Sequence, residues 1–346
     1  MGSRASSTVT KYTRAFLKWQ RWTETMDDVK VFPVNPLHFA LYLQHVGEQS
    51  QSKAAVEEAT NAVSWICQTA GLDPIAQDPF IKMTLAGLQR NLAKPKTKKE
   101  PVTPEMLREM IESLGLRPSL SEVRTVAIAV TAFHGFFRFD EVVRIRCCDV
   151  KFGVDHMAIK VLSSKTDQYR QGDEVVIARA DSPHTCPVAR LEQYYSMAGI
   201  NHFSTERLFR AIVKTKEGEK LRTSGSISYT RVREILLEKL RSLGYEPSEF
   251  GTHNFRAGGA TTAANQGVPD RLFKRHGRWK SETAKDGYIK DSLEARLEVS
   301  KKLHTNMRSS FCVVLMFVVL RARGCGQGFF HLMYKKKKKK KKKKKA

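Results

Sequence analysis

The sequence predicts a mostly α protein of two domains with one small antiparallel β-sheet. Three observations carry that reading. Apolar residues recur at helical spacing along most of the 346 residues. Residues 94–101 contain no apolar residue, two prolines and four lysines, so they cannot join a core and read as a basic linker. Strand-like runs flank a polar turn only within 149–178. A length of roughly two domains at about 150 residues each agrees with a break there.

Before the linker, Tyr12, Phe16 and Trp19 fall at i, i+4 and i+7. Asn35-Pro36 supplies an N-cap and a first helical residue ahead of Phe39, Leu43 and Val46. Ser52 to Thr69 places Val56, Ala59, Val63 and Ile66 on one stripe, closed by Gly71, and Phe80 to Leu92 carries Leu85, Leu88 and Leu92. These four helices make a first domain over 1–93, followed by a linker over 94–102. Thr103-Pro104 starts the next helix, with Met106, Leu107, Met110 and Leu114, and a long apolar helix runs from Ser121 to Phe137. Strands follow at Asp149 to Phe152, Met157 to Leu162 and Glu174 to Ala178. Helices return at Val188 to Met197, Ser226 to Leu243, His253 to Gln266, Pro269 to Lys274 and Ser281 to Tyr288. The second domain spans 103–305. From Phe311 periodicity is lost, and 306–346 reads as an unstructured tail.

Sixty Lys and Arg against 35 Asp and Glu give a net charge of +25. Lys335 to Lys345 are eleven consecutive lysines, the product expected of translation through a poly(A) tail; removing their charges from +25 leaves +14. That excess still calls for a polyanionic partner. The six cysteines, Cys67, Cys147, Cys148, Cys186, Cys312 and Cys325, show neither metal-ligand spacing nor a disulfide framework. The apolar run Phe311 to Leu320 is about half the length of a membrane span, so none is predicted.

Taken singly, the polar residues that stand out have ordinary explanations. Arg138 pairs with Glu141 at i, i+3 near a helix end, Lys165 sits in a polar hairpin turn, and His253 and Arg256 lie one turn apart on a helix. Trp279 reads as core, and Tyr288, nine residues further, as half-buried packing. Their order and spacing together resemble the tyrosine recombinase, or phage integrase, family. The resemblance covers the chain to about residue 305. It implies a helical core-binding domain joined by a basic linker to an α+β catalytic domain. The strings Lys165 to Gly172 and His276 to Ser281 are most similar to eukaryotic Crypton-like or DIRS-like mobile-element members.

The resemblance implies a role for each residue. Cleaving a phosphodiester creates a dianionic five-coordinate transition state, and forked guanidinium donors at Arg138 and Arg256 answer it. Tyr288, a phenol of ordinary pKa near 10, becomes the nucleophile of a 3′-phosphotyrosyl bond, with His253 as base and Lys165 as acid on the leaving 5′-oxygen. Trp279 occupies the place where relatives have His or Trp. His276 lies twelve residues before Tyr288, which does not fit that place, and supports the site instead. Glu141 orients Arg138.

No metal and no cofactor is expected, because the covalent intermediate conserves the energy of the broken bond and no Walker or metal-ligand motif is seen. The expected partner is double-stranded DNA, contacted by Lys94, Lys96, Lys98 and Lys99, with a homotetramer joining two sites and no membrane involvement. Lys11, Arg14, Lys18 and Arg21 on the first helix read equally as DNA contacts or a solvated face, since Trp19 and Trp22 share that helix. A helix over Ser292 to Leu303 docks on its own domain or on a neighbour. A type IB topoisomerase-like nicking and closing enzyme, and a domesticated DNA-binding protein without catalysis, are the alternatives. A DNA substrate and a eukaryotic origin imply a nuclear location.

Overall fold

The computed structural model describes residues 4–95, 98–162 and 172–303. Lys96, Lys165 and the tail from 304, lysine run included, lie outside the described residues. The chain forms two compact units, residues 1–98 and 99–346.

The first unit is helical: α1 (Ser6–Thr23), α2 (Pro36–Ser50), α3 (Lys53–Thr69) and α4 (Pro79–Asn91). Local chemistry sets two helix starts. The Asn35 side chain accepts from the Leu37 and His38 N–H groups, and Asp78 from those of Phe80 and Ile81, each followed by proline at the first helical position. Trp19 is fully buried with Phe39, Leu43 and Val63. It therefore belongs to the core, its ring edge-on to Phe39 at 5.3 Å. Lys11 pairs with Glu58 at 2.9 Å, while Arg14, Lys18 and Arg21 are exposed.

The second unit begins four residues earlier than the linker reading implies. The Glu100 N–H donates to the Glu249 carbonyl at 2.9 Å, the Val102 N–H donates to the Asn254 carbonyl at 3.1 Å, and Val102 is fully buried. The prolines and lysines conceal this because the segment packs through its backbone and one valine. It leads into α5 (Pro104–Glu112) and α6 (Leu120–His134). Helix α6 is buried on nearly all sides, as its apolar run Val126 to Val130 requires. It ends at Gly135, short of the predicted Phe137, because Phe136 turns into the left-handed region at φ +47°.

A four-residue helix α7 (Phe139–Val142) follows, then β1 (Val150–Phe152), β2 (His156–Val161) and β3 (Asp173–Ala178), an antiparallel meander in the order β1-β2-β3. Its register pairs Val150 with Ile159 and Met157 with Ile177. In β3, Val175 and Ile177 point inward while Glu174 and Val176 face out, the period of two a half-buried strand needs. After α8 (Pro187–Met197) comes a hairpin absent from the sequence reading, β4 (Ile212–Thr215) and β5 (Gly218–Leu221). Its strands are four residues long and carry Lys214, Glu219 and Lys220; only Ile212 and Leu221 pack against the core.

The remaining elements are α9 (Tyr229–Ser242), α10 (His253–Asn265), α11 (Asp270–Gly277) and α12 (Glu282–Asp286), with a further helical stretch at 293–303 whose residues are exposed. The start of α9 lies at Tyr229 rather than Ser226 because Ser228 caps it. Tyr288 lies just past α12 rather than within it. Helix α10 approaches its neighbours backbone to backbone. A Cβ on Gly258 would sit 1.9 Å from the Val102 carbonyl oxygen, and one on Gly259 2.1 Å from that of Phe133. These glycines bring the next turn of α10, carrying Arg256, against the α6–α7 corner.

Candidate active site

The site grows from that corner. Arg138 precedes α7, and its own N–H donates to Glu141 Oε2 at 2.9 Å while its Nη1 donates to Oε1 at 2.9 Å. The carboxylate thus fixes both the backbone and the side chain of the arginine, a short-range arrangement that the i, i+3 spacing anticipates.

Arg256 reaches the same place from α10. It is completely buried, its Nη2 donating to the Gly277 carbonyl at 2.7 Å and its Nη1 to that of Phe136. Nη1 also lies 3.8 Å from Glu141 Oε2. The guanidinium sits 4.5 Å over the Trp279 ring and 4.9 Å over the Tyr288 ring. Burial first, and the like charge of Arg138 second, pull its pKa down to about 9, opposed by Glu141. It remains charged at neutral pH. For Glu141, burial pushes upward, but Arg278, the Arg138 N–H and Arg256 outweigh it and hold the carboxyl below the usual range.

Trp279, Phe136, Phe273 and Ala260 form a small apolar nest, with Tyr288 and Ile289 packed against it. The indole stacks on Phe273 at 5.1 Å and 17°, and lies 5.6 Å from Tyr288. Its N–H is buried without a hydrogen-bond partner among the described residues. Tyr288 is tied to α10 through its carbonyl, which accepts from the Thr261 hydroxyl at 3.3 Å.

Arg138, Glu141, Arg256, Trp279 and Tyr288 therefore converge. His253 is the exposed first residue of α10, one turn before Arg256. His276 is bound to the end of α6. Its Nε2 lies 2.7 Å from the His134 carbonyl and its ring meets Phe136 edge-on at 4.7 Å, so it joins the end of α6 to α11. Burial lowers its pKa, keeping it neutral. Lys94 and Lys98 are exposed. Lys99, also exposed, donates from its ammonium to the Phe250 carbonyl at 2.7 Å within the second unit.

One participant escaped the sequence reading. Arg278 is buried, adopts φ +55°, and donates from Nη2 to Glu141 Oε2 at 2.8 Å. A left-handed conformation costs an L-residue roughly 1–2 kcal/mol. The adjacent Gly277 is where such a turn would be sought, so the sequence carries no local signal of it. Among the described residues no group of three or more His, Cys, Asp or Glu is placed to hold a metal ion, and no helix is long and apolar enough to cross a membrane.

Three guanidinium groups share one carboxylate beside a tyrosine, an excess of positive charge suited to a phosphoryl group. No protein-family model matches the chain. An integrase/recombinase XerD homolog of Selenomonas ruminantium is 25% identical over 291 residues, covering 83% of this chain and 82% of that protein. The XerH site-specific recombinase bound to its palindromic difH substrate superposes with a TM-score of 0.61 at 12% identity, over 85% of this chain and 78% of its own. A lambda integrase tetramer bound to a Holliday junction gives 0.55 at 14%, over 84% and 73%. The chain is thus similar to an integrase/recombinase over most of its length and shares the fold of these recombinase structures.

Proposed function

We propose that this chain cleaves and rejoins DNA strands in site-specific recombination, through a covalent 3′-phosphotyrosyl intermediate on Tyr288. The observation that carries the reading is the placement of the buried Arg256 guanidinium 4.9 Å over the Tyr288 ring, beside the carboxylate that holds Arg138. Three guanidinium charges against one carboxylate leave the pocket cationic, and the group that neutralises it is the phosphate under attack.

In the reaction, the Tyr288 oxygen bonds to phosphorus while its proton passes to His253. The bond from phosphorus to the 5′-oxygen breaks, and Lys165 protonates that oxygen. Arg138 and Arg256 hold the non-bridging oxygens as their charge rises. A 5′-hydroxyl from a second strand then reverses the sequence and releases Tyr288. The bond energy is retained, so the chain's own residues suffice for rejoining.

The lambda integrase neighbour is a tetramer on a Holliday junction and the XerH neighbour is bound to its palindromic difH substrate. By that likeness the present chain binds double-stranded DNA and assembles as a tetramer on two sites. Its placement among Crypton-like or DIRS-like elements, and a nuclear location, belong to the same proposal and rest on the two short strings.

The test is incubation with a nicked suicide duplex. An SDS-resistant adduct mapping to Tyr288 is expected, absent in Tyr288→Phe, which keeps the ring and its packing. Adduct formation by that variant overturns the assignment. Products joining two separate sites support recombination; relaxation of supercoils by a monomer without such products indicates the topoisomerase-like alternative.

A further inference from the structure

Arg278 has no part in the chemistry just described, yet it is the most extensively bonded side chain of the site. Its Nη1 donates to the carbonyls of His276 at 2.8 Å and Gly135 at 3.2 Å, and its Nη2 to the Phe136 carbonyl at 3.0 Å and Glu141 Oε2 at 2.8 Å. Its guanidinium lies 4.8 Å over the Phe137 ring. These contacts join the α6–α7 corner, which bears Arg138, to the end of α11, which leads directly into Trp279. Both Arg278 and the Phe136 whose carbonyl it holds are non-glycine residues in the left-handed region. Such conformations persist only where the surroundings over-determine them.

The arrangement around Glu141 gives the bonding a purpose. Oε1 belongs to Arg138, and Oε2 is held by the Arg138 N–H and by Arg278, while Arg256 stands off at 3.8 Å. If Arg278 were removed, the nearest remaining cation for the unsatisfied oxygen would be Arg256. A buried carboxylate that loses a partner takes the next one available. Glu141 would then draw in the guanidinium that must face phosphate.

We propose that Arg278 is a positioning residue that keeps Glu141 on Arg138 and away from Arg256, so that Arg256 stays available to the scissile phosphate. The inference rests on the phosphodiester chemistry proposed above. Its mark is a dependence on the Glu141 charge that a general packing role lacks.

Single-turnover adduct formation and DNA affinity are measured for the wild-type chain, Arg278→Met, Glu141→Gln and the double variant. Arg278→Met is expected to slow cleavage about 10- to 100-fold, with affinity unchanged within about twofold. In the Glu141→Gln background the same substitution is expected to cost no more than about twofold, because the neutral amide cannot capture Arg256. An equal loss in both backgrounds, or a loss in affinity matching that in rate, overturns the proposal. If Arg278→Met does not fold, Arg278→Lys in the two backgrounds carries the same comparison, with a smaller first loss and the same disappearance of it. A wild-type chain that forms no adduct overturns the proposed function and this inference together; a normal adduct rate in Arg278→Met overturns this inference alone.

Discussion

Around Ile128 on α6, the second unit is packed with aliphatic and aromatic side chains such as Val126, Leu191, Phe209 and Leu236. The buried tyrosines there are neutral and satisfied, Tyr194 donating to the Leu208 carbonyl at 3.0 Å and Tyr195 to that of Cys147 at 2.9 Å. Around Trp279 a much smaller apolar cluster encloses charge, with Arg256 over its rings and Arg278 beside it. The first arrangement chiefly removes apolar surface from water, and its one buried arginine on α6, Arg124, donates to the Arg210 carbonyl at 2.8 Å. The second buries two cations, and partly buries a third, against one carboxylate, which solvation disfavours unless a further anion arrives. Stability is concentrated in one, and readiness for a ligand in the other.

The sharpest way to break this contrast is to alter each centre alone. Arg256→Ala is expected to cut single-turnover cleavage by about 100- to 1000-fold, the scale of losing one transition-state donor, and to cost less stability than a core truncation, since removal of a buried charge offsets the two carbonyls it leaves unpaired. Ile128→Ala, at a site 1% exposed, is expected to cost about 2–5 kcal/mol of stability and to cleave normally below its melting temperature. Denaturant unfolding and adduct assays on the same preparations check both. Comparable stability losses would mean that the two centres are one.

The two centres also differed in how much of them the sequence revealed. The helix starts at Asn35-Pro36 and Thr103-Pro104 were legible because capping is settled within four residues. The buried face of α6 was legible because nothing else accommodates so continuous an apolar run. Arg138 and Glu141 were visible as a neighbouring pair, and Arg256, Trp279 and Tyr288 through the order in which the resemblance places them. The β4–β5 hairpin was hidden by Lys214, Glu219 and Lys220, which mask strand alternation. Arg278 was hidden for a deeper reason. Its partners Gly135, Phe136 and Glu141 lie more than a hundred residues away, and beside Trp279 an arginine reads as surface.

A smaller effect is expected from acid. The Glu141 carboxyl is held below its ordinary range in the folded chain, so its contribution to stability is present above the unfolded carboxyl pKa of about 4.3 and is lost as pH falls through the lower folded value. Glu141→Gln should therefore melt below wild type at neutral pH, with the gap closing as the buffer is taken from pH about 5 towards 3. Melting curves across that range decide it. A gap that stays constant would show that the carboxylate charge, as distinct from the side-chain shape, contributes nothing to holding the arginines together.

The smallest expected change separates two uses of Trp279. Its ring is committed to packing, stacked on Phe273 at 5.1 Å and lying under the Arg256 guanidinium. Its N–H is buried without a partner among the described residues, a condition that costs about 1–3 kcal/mol and so calls for an explanation. Trp279→Phe keeps most of the stacking and deletes the donor. If the donor is reserved for a phosphate oxygen, the variant should be as stable as wild type or more so, yet cleave more slowly by about tenfold or less, the range of one neutral hydrogen bond. Slower cleavage without lost stability places the indole N–H in the reaction; unchanged cleavage leaves Trp279 only its ring, and makes the nest around it a second packing core after all.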